Sequence, residues 1–92
     1  MSRETMTHEL SHISTTLKKR VEEDILNRRT PIGLDEDLFA AGFDSMSLVR
    51  MLVFVEEDFG VKIPEHEVDL DEVSTVDKWA RFVHRRITST ST

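Results

Sequence analysis

Apolar side chains recur every three or four residues near the start of the chain, the spacing of one face of an α-helix. Charged residues between them fall largely on the opposite side. The pattern fades near Arg28, before Thr30-Pro31-Ile32-Gly33, because a proline disfavours helical angles in the residue that precedes it. The sequence therefore predicts a first amphipathic helix, whose core stripe is Leu10, Ile13, Leu17, Val21 and Ile25.

A second helix is predicted from about Ser45 to Phe59. Asp44 or Ser45 can cap its amino end, and Gly60 stands where a left-handed residue would stop it. Apolar residues go most of the way round this helix, more than one core face needs. The surplus indicates either deep burial or an exposed face for a partner, with Met46, Met51 and Phe54 as the candidates.

The linker from about Thr30 to Asp44 is long, and ordered loops of this length tend to be functional. Four apolar residues are expected to hold it against the helices: Leu34, Leu38, Phe39 and Phe43.

A last helix follows Ser74, which is the predicted cap, with Asp77 three residues on. Its stripe is Val76, Trp79, Ala80, Val83 and Ile87, so Trp79 is predicted to be a packing residue. The stretch Glu65 to Glu72 can hold a short helical turn. The fold class is therefore all-α, a bundle of three to four helices with a long loop between the first two. Residues 1–92 form one domain with an ordered core of about 10–87, and the start and the Ser/Thr tail are predicted to be mobile.

Length and composition narrow the function. A domain of 92 residues has little room for the deep, water-free cavity that most enzymes need. There is no cysteine, so disulfides and thiolate metal sites are excluded. No apolar signal segment opens the chain and no stretch is long enough to cross a bilayer, which predicts a cytoplasmic protein without a membrane partner.

Charge is unevenly distributed along the chain. Residues 1–34 sum to +1, residues 35–77 to −11 and residues 78–92 to +4, within a total of −6. This anionic middle disfavours nucleic acid as a partner, because phosphate backbones need a clustered positive face. Basic patches on other proteins are the natural complement.

The candidate chemistry lies in Gly42-Phe43-Asp44-Ser45-Met46. Ser45 stands at the junction between a glycine-containing loop and the start of a helix, where its hydroxyl is exposed. A phosphodiester on that oxygen would be stabilised by the free N–H groups and partial positive charge of the helix start. The simpler interpretation is that Asp44 and Ser45 are only a capping pair.

A wider pattern favours attachment over capping. The run Asp37-Leu38-Phe39-Ala40-Ala41-Gly42-Phe43-Asp44-Ser45-Met46, followed by Asp58-Phe59-Gly60-Val61-Lys62-Ile63-Pro64 and Ser74-Thr75-Val76, resembles the acyl carrier and peptidyl carrier protein family over about residues 13–87. The resemblance implies that Ser45 receives 4′-phosphopantetheine from coenzyme A through a phosphopantetheinyl transferase. The thiol of that arm would hold an acyl or aminoacyl thioester.

By this resemblance the chain is a monomeric tethered substrate rather than an enzyme. Its other partners would be a loading ligase, adenylation enzyme or acyltransferase, and a downstream synthase or transferase. A free-standing carrier is expected, with a module excised from a larger synthase as the alternative.

Two departures from the family pattern bear on its pathway. The usual leucine after the modified serine is Met46, a conservative change in volume and polarity. Fatty-acid carriers follow the serine with acidic residues, whereas this chain has Ser47 and Arg50. A specialised polyketide, aminoacyl or peptide pathway is therefore expected, with Asp44, Met46, Val49 and Arg50 as the predicted docking residues.

Other interpretations carry less weight. His8-Glu9-Leu10-Ser11-His12 matches the H-E-x-x-H zinc motif, but it has no third ligand nearby in sequence, and no metal site is predicted. Adjacent Asp44 and Ser45 cannot form the relay of a serine hydrolase. The remaining alternative is a non-catalytic helical interaction module in which Ser45 is only a helix cap.

Overall fold

The computed structural model describes residues 9–90, with side chains described as far as residue 88. Three α-helices form the bundle: α1 (Leu10–Arg20), α2 (Ser45–Phe59) and α3 (Val76–Thr90). A π-helical turn at Val21–Ile25 continues α1. The predicted all-α fold is confirmed, and no strand occurs between residues 9 and 90.

Helix α1 packs mainly on α3, and both bury the faces that their periodicity predicts. Ile13, Leu17 and Val21 are fully buried, while Leu10 and Ile25 are half-buried at the ends of their stripe. On α3 the predicted stripe is buried through Val83. Trp79 has no exposed surface, which confirms its packing role, although its indole N–H has no hydrogen-bond partner in the described structure.

The first helix differs from its prediction in how it ends. The apolar pattern predicts one continuous α-helix to about Arg28, but α-helical bonding stops at Arg20 and the next turn is π-helical. Leu26 N–H then donates to Val21 O, five residues back, at 2.8 Å. Asn27 turns the chain out of the helix with a left-handed φ of 51°.

The limits of α2 are those predicted. Asp44 is its N-cap, and Gly60 is its C-cap with a left-handed φ of 71°. Of the surplus apolar residues, Met51 is fully buried, the first of the two outcomes that the sequence left open, whereas Met46 is exposed. Phe54 is half-buried, and the Arg20 guanidinium lies 4.1 Å from its ring centroid.

The segment between α1 and α2 is held against the bundle by fewer side chains than predicted. Leu38 and Phe43 are buried, but Leu34 and Phe39 are 43% and 38% exposed. Ile32, which the sequence did not single out, is buried instead. Two backbone bonds fix the segment to the start of α3: Leu38 N–H to Ser74 O at 2.8 Å and Asp77 N–H to Leu34 O at 2.9 Å.

Two short 3₁₀ helices, Glu65–Glu67 and Leu70–Val73, lie in the stretch predicted to hold a helical turn. The cap of α3 is not Ser74 as predicted. Thr75 Oγ1 accepts from Lys78 N–H at 3.1 Å, whereas the Ser74 hydroxyl donates back to Asp71 O. Helix α3 also continues through Thr90, past the predicted end of the ordered core. Within residues 9–90, no helix is long and apolar enough to cross a membrane.

Candidate functional site

Asp44 is the residue that caps α2. Its carboxylate accepts from the Ser47 N–H and the Ser47 hydroxyl, both at 3.0 Å. These bonds, the backbone one first, hold the pKa of Asp44 below its ordinary value. Aspartate is among the best N-cap residues because it satisfies an N–H that has no partner within the helix. The capping requirement of this helix is therefore met without Ser45.

Ser45 is the first residue of α2 and is exposed. Among the described residues, its hydroxyl makes no hydrogen bond. The interpretation of Ser45 as a mere cap is therefore wrong. A hydroxyl that is accessible, unbonded and next to the positive end of a helix fits a phosphate-linked group, since both bulk solvent and the helix dipole stabilise the added charge.

The loop that leads into Ser45 is held by a buried side chain and by backbone hydrogen bonds. Gly42 has a φ of 108°, which strongly favours glycine and turns the chain towards the helix. Phe43 is buried, with its N–H bonded to Leu38 O at 2.9 Å and its ring edge-on to Trp79 at 6.3 Å. Two residues before Ser45, the chain is thus anchored in the core.

A stripe of exposed apolar side chains runs along α2 from this point. Met46, Val49 and Val53 are 68%, 39% and 49% exposed, and their spacing of three and four residues places them on one face. Met46 and Val49 are two of the docking residues that the sequence predicts, and exposed Val53 was not among them. The signal for Val53 was its step of four from Val49, which the abundance of apolar residues on this helix obscured.

The remaining predicted docking residue, Arg50, is exposed but already engaged. Its Nη2 donates to Asp24 O at 2.5 Å, at the π-helical end of α1. Beside the stripe, a shallow groove of about 180 Å³ separates α2 from residues 62–65. Its walls are formed by Val49, Leu52, Val53, Glu56, Lys62, Ile63 and Glu65.

Only part of the histidine motif lies within the described residues. His8 lies outside the described residues, and His12 packs edge-on against Phe59 with ring centroids 6.3 Å apart. Between residues 9 and 88, no group of three or more histidine and carboxylate side chains could hold a metal ion.

Comparison with known proteins places this geometry in a family. The profile of the phosphopantetheine attachment site matches residues 15–83. D-alanyl carrier proteins of Streptococcus pyogenes, including those of serotype M1 and of serotype M49 strain NZ131, are 44% identical to the chain over 46 residues. That match spans 49% of this chain and 58% of each relative, so the chain spans little more than half the length of the curated relatives it matches.

The family match covers α2, both 3₁₀ helices and about half of α1 and of α3, so it includes the elements that position Ser45. The prosthetic group of the family is covalently bound 4′-phosphopantetheine. The exposed, unbonded hydroxyl at the start of α2 fits the phosphodiester of that group. By sequence and fold, this chain belongs to the phosphopantetheine-binding family of acyl and peptidyl carrier proteins.

Proposed function

We propose that Ser45 is the attachment point of 4′-phosphopantetheine and that the chain is a carrier protein rather than an enzyme. The most direct support is that only one of the two residues at the start of α2 is needed to cap the helix. Asp44 caps the helix, which leaves the exposed Ser45 hydroxyl without a structural role. When bound, the arm supplies a thiol that holds the cargo as an activated thioester.

The partners follow from this role. A phosphopantetheinyl transferase would approach the start of α2, and a loading ligase and a downstream transferase would each need to reach the same end of the bundle. The stripe of Met46, Val49 and Val53 offers them an apolar contact that begins beside the attachment point. Asp44 and Arg50 stay predicted docking residues at its edges.

Among the specialised pathways, we favour one that transfers an aminoacyl group. The support is the similarity to proteins named D-alanyl carrier proteins, which makes D-alanine the first cargo to test. This favours aminoacyl transfer over polyketide assembly. A cytoplasmic location stays a prediction.

Intact mass spectrometry tests the attachment. Purified protein incubated with coenzyme A and a broad-specificity phosphopantetheinyl transferase should gain the mass of one arm, and the Ser45→Ala variant should gain none. Ser47→Ala is the matched control, because it removes a hydroxyl two residues away and should still be modified. No gain in the wild type, or a gain that survives Ser45→Ala, would refute the proposal.

The cargo is tested on protein purified from its natural source. Hydrolysis of the thioester releases the cargo as its free acid, and chiral analysis of that acid should identify an amino acid, with D-alanine expected. A released fatty or polyketide acid would contradict the aminoacyl assignment while leaving the carrier role intact.

A further inference from the structure

A second exposed apolar patch lies away from the α2 stripe, in a groove between the α1–α2 segment and the second 3₁₀ helix. Phe39 and Leu70 are 38% and 57% exposed there. Ser74 and Thr75 also line this groove, which has a volume of about 490 Å³. Exposed apolar patches on small proteins commonly mark interaction sites.

The groove also has a one-sided charge. Asp35, Asp37 and Asp71 line it, and the lining includes no cationic residue. Within the described part of the chain, none of these carboxylates forms an ion pair. Asp37 accepts from the Phe39 N–H at 3.0 Å, a local bond that leaves its negative charge uncompensated. A ligand that complements this surface must bring apolar area and positive charge together.

We propose that this groove, defined by Asp35, Asp37, Phe39, Leu70 and Asp71, binds a basic amphipathic segment of a partner protein. An apolar side chain of that segment inserts between Phe39 and Leu70, and flanking lysine or arginine side chains face the aspartates. This docking site is additional to the face of α2 that is proposed to receive the enzymes acting at Ser45.

The frame of the groove is already in place before a partner binds. The two backbone bonds between the α1–α2 segment and the start of α3, from Leu38 N–H and from Asp77 N–H, hold its walls together. The Phe39 ring rests edge-on against buried Phe43, with centroids 5.9 Å apart. A preformed surface loses little conformational entropy on binding, which favours association.

Two other occupants fit less well. The phosphodiester of the arm is anionic, so the three aspartates would repel it. A second copy of the chain carries the same net charge of −6, which opposes its approach to an acidic groove, and the arginines of its α3 are engaged within their own chain. Arg81 pairs with Asp77 at 3.0 Å, Arg85 with Glu72 at 2.8 Å and Arg86 with Glu67 at 2.7 Å.

A titration followed by ¹H–¹⁵N NMR tests the proposal. The probe is a synthetic amphipathic peptide of leucine and lysine, and the control peptide has glutamate in place of each lysine. The lysine peptide should shift the amide signals of residues 34–39 and 70–75, with weaker binding as salt rises. The glutamate peptide should not bind.

Two triple variants that each remove three negative charges distinguish binding in the groove from attraction to the overall negative charge of the protein. Asp35→Asn/Asp37→Asn/Asp71→Asn should weaken binding of the lysine peptide about tenfold. Glu23→Gln/Glu56→Gln/Glu65→Gln, which removes the same charge outside the groove, should change binding less than about twofold. Phe39→Ser should also weaken binding, since it removes the apolar wall.

Several results would overturn the proposal: equal loss in both triple variants, shifts centred on α2, shifts on addition of the arm alone, or concentration-dependent dimerisation through the groove. The titration needs no arm, so it is independent of the function proposed for Ser45. The aspartate variant should still accept the arm from coenzyme A at the wild-type rate, which shows that it is folded.

Discussion

The guanidinium of Arg20 forms a two-point ion pair with the carboxylate of Asp58, with Nε–Oδ2 at 2.9 Å and Nη2–Oδ1 at 2.8 Å. The pair joins the last residue of α1 to the last turn of α2 across 38 positions in sequence. The hydrogen bond to Asp58 is the main reason why the pKa of Arg20 lies above its ordinary value. The same guanidinium covers the ring of Phe54, so one side chain makes both polar and aromatic contacts between the helices.

Arg20→Ala should therefore lower the free energy of unfolding by about 1–2 kcal/mol, the sum of a partly exposed ion pair and a cation–π contact. Arg20→Lys keeps the charge but loses the planar two-point geometry, so it should lose less. Urea denaturation followed by circular dichroism measures both. Equal stability of wild type and Arg20→Ala would show that the contact contributes nothing in solution.

Glu22 gives the fold an acid-sensitive contact. Its Oε2 accepts from Lys18 Nζ at 2.6 Å and from the Ile32 N–H at 2.7 Å, and these bonds, that from Lys18 first, lower the pKa of Glu22. A carboxyl group whose pKa is lower in the folded state stabilises the fold at any pH above its unfolded-state pKa of about 4.3. This stabilisation is lost as the pH falls through the lower pKa of the folded state.

Glu22→Gln should consequently unfold at a lower urea concentration than wild type at pH 7, with the difference shrinking as pH falls below about 4. The amide oxygen of glutamine can still accept from Ile32, so the variant isolates the charge. A difference that stays constant from pH 7 to pH 3 would assign the effect to packing instead.

Met46 and Met51 stand five positions apart on α2 in opposite environments, 68% exposed and fully buried. Met51→Ala should cost about 2–4 kcal/mol because it opens a cavity in the core. Met46→Ala should change stability by less than about 0.5 kcal/mol. Urea denaturation of the two variants checks this contrast.

Met46 should contribute little to stability, but the docking role proposed for α2 predicts that it matters for attachment of the arm. Met46→Glu should reduce kcat/KM of the phosphopantetheinyl transferase by about tenfold, because it places a charge within the apolar stripe beside Ser45. The melting temperature should stay close to that of wild type. Unchanged transferase kinetics would remove Met46 from the docking surface.

Two substitutions of Asp44 can separate its role as a helix cap from the role of its negative charge. Asparagine caps helices as well as aspartate does, whereas alanine cannot. Asp44→Ala should lower the urea midpoint, while Asp44→Asn should retain it. If Asp44→Asn slows attachment of the arm by the transferase, the carboxylate is a docking group. If the rate is unchanged, Asp44 acts only as the helix cap.

The sequence predicted most where local chemistry decides the structure. Asp44 and Gly60 bound α2 because a cap and a left-handed residue act within a few positions of themselves. The sequence predicted less where contacts between residues far apart in the sequence determine the structure. Serine and threonine are both good caps, so nothing local distinguished Ser74 from Thr75 as the cap of α3. In the structure Thr75 caps the helix, and the backbone carbonyl of Ser74 accepts from the N–H of Leu38, a residue far away in the sequence.

The same reasoning explains the errors in burial. On α2, apolar residues so nearly surround the helix that periodicity alone could not tell buried Met51 from exposed Val53. In the α1–α2 segment no period exists, so Ile32 was missed and Phe39 was misplaced. The π-helical turn contains Asp24, whose carbonyl accepts from Arg50 of α2, a contact between distant positions that leaves no local signature in the sequence.

The backbone bonds that tie the α1–α2 segment to the start of α3 have a mechanical consequence. They fix the position of the chain before Ser45 relative to α3, since Leu38 and Phe43 are also buried in the core. For the flexible arm proposed on Ser45, the length of the arm would set the volume that its thiol samples. The fold would then determine where that volume is centred, and the arm would determine how far it extends.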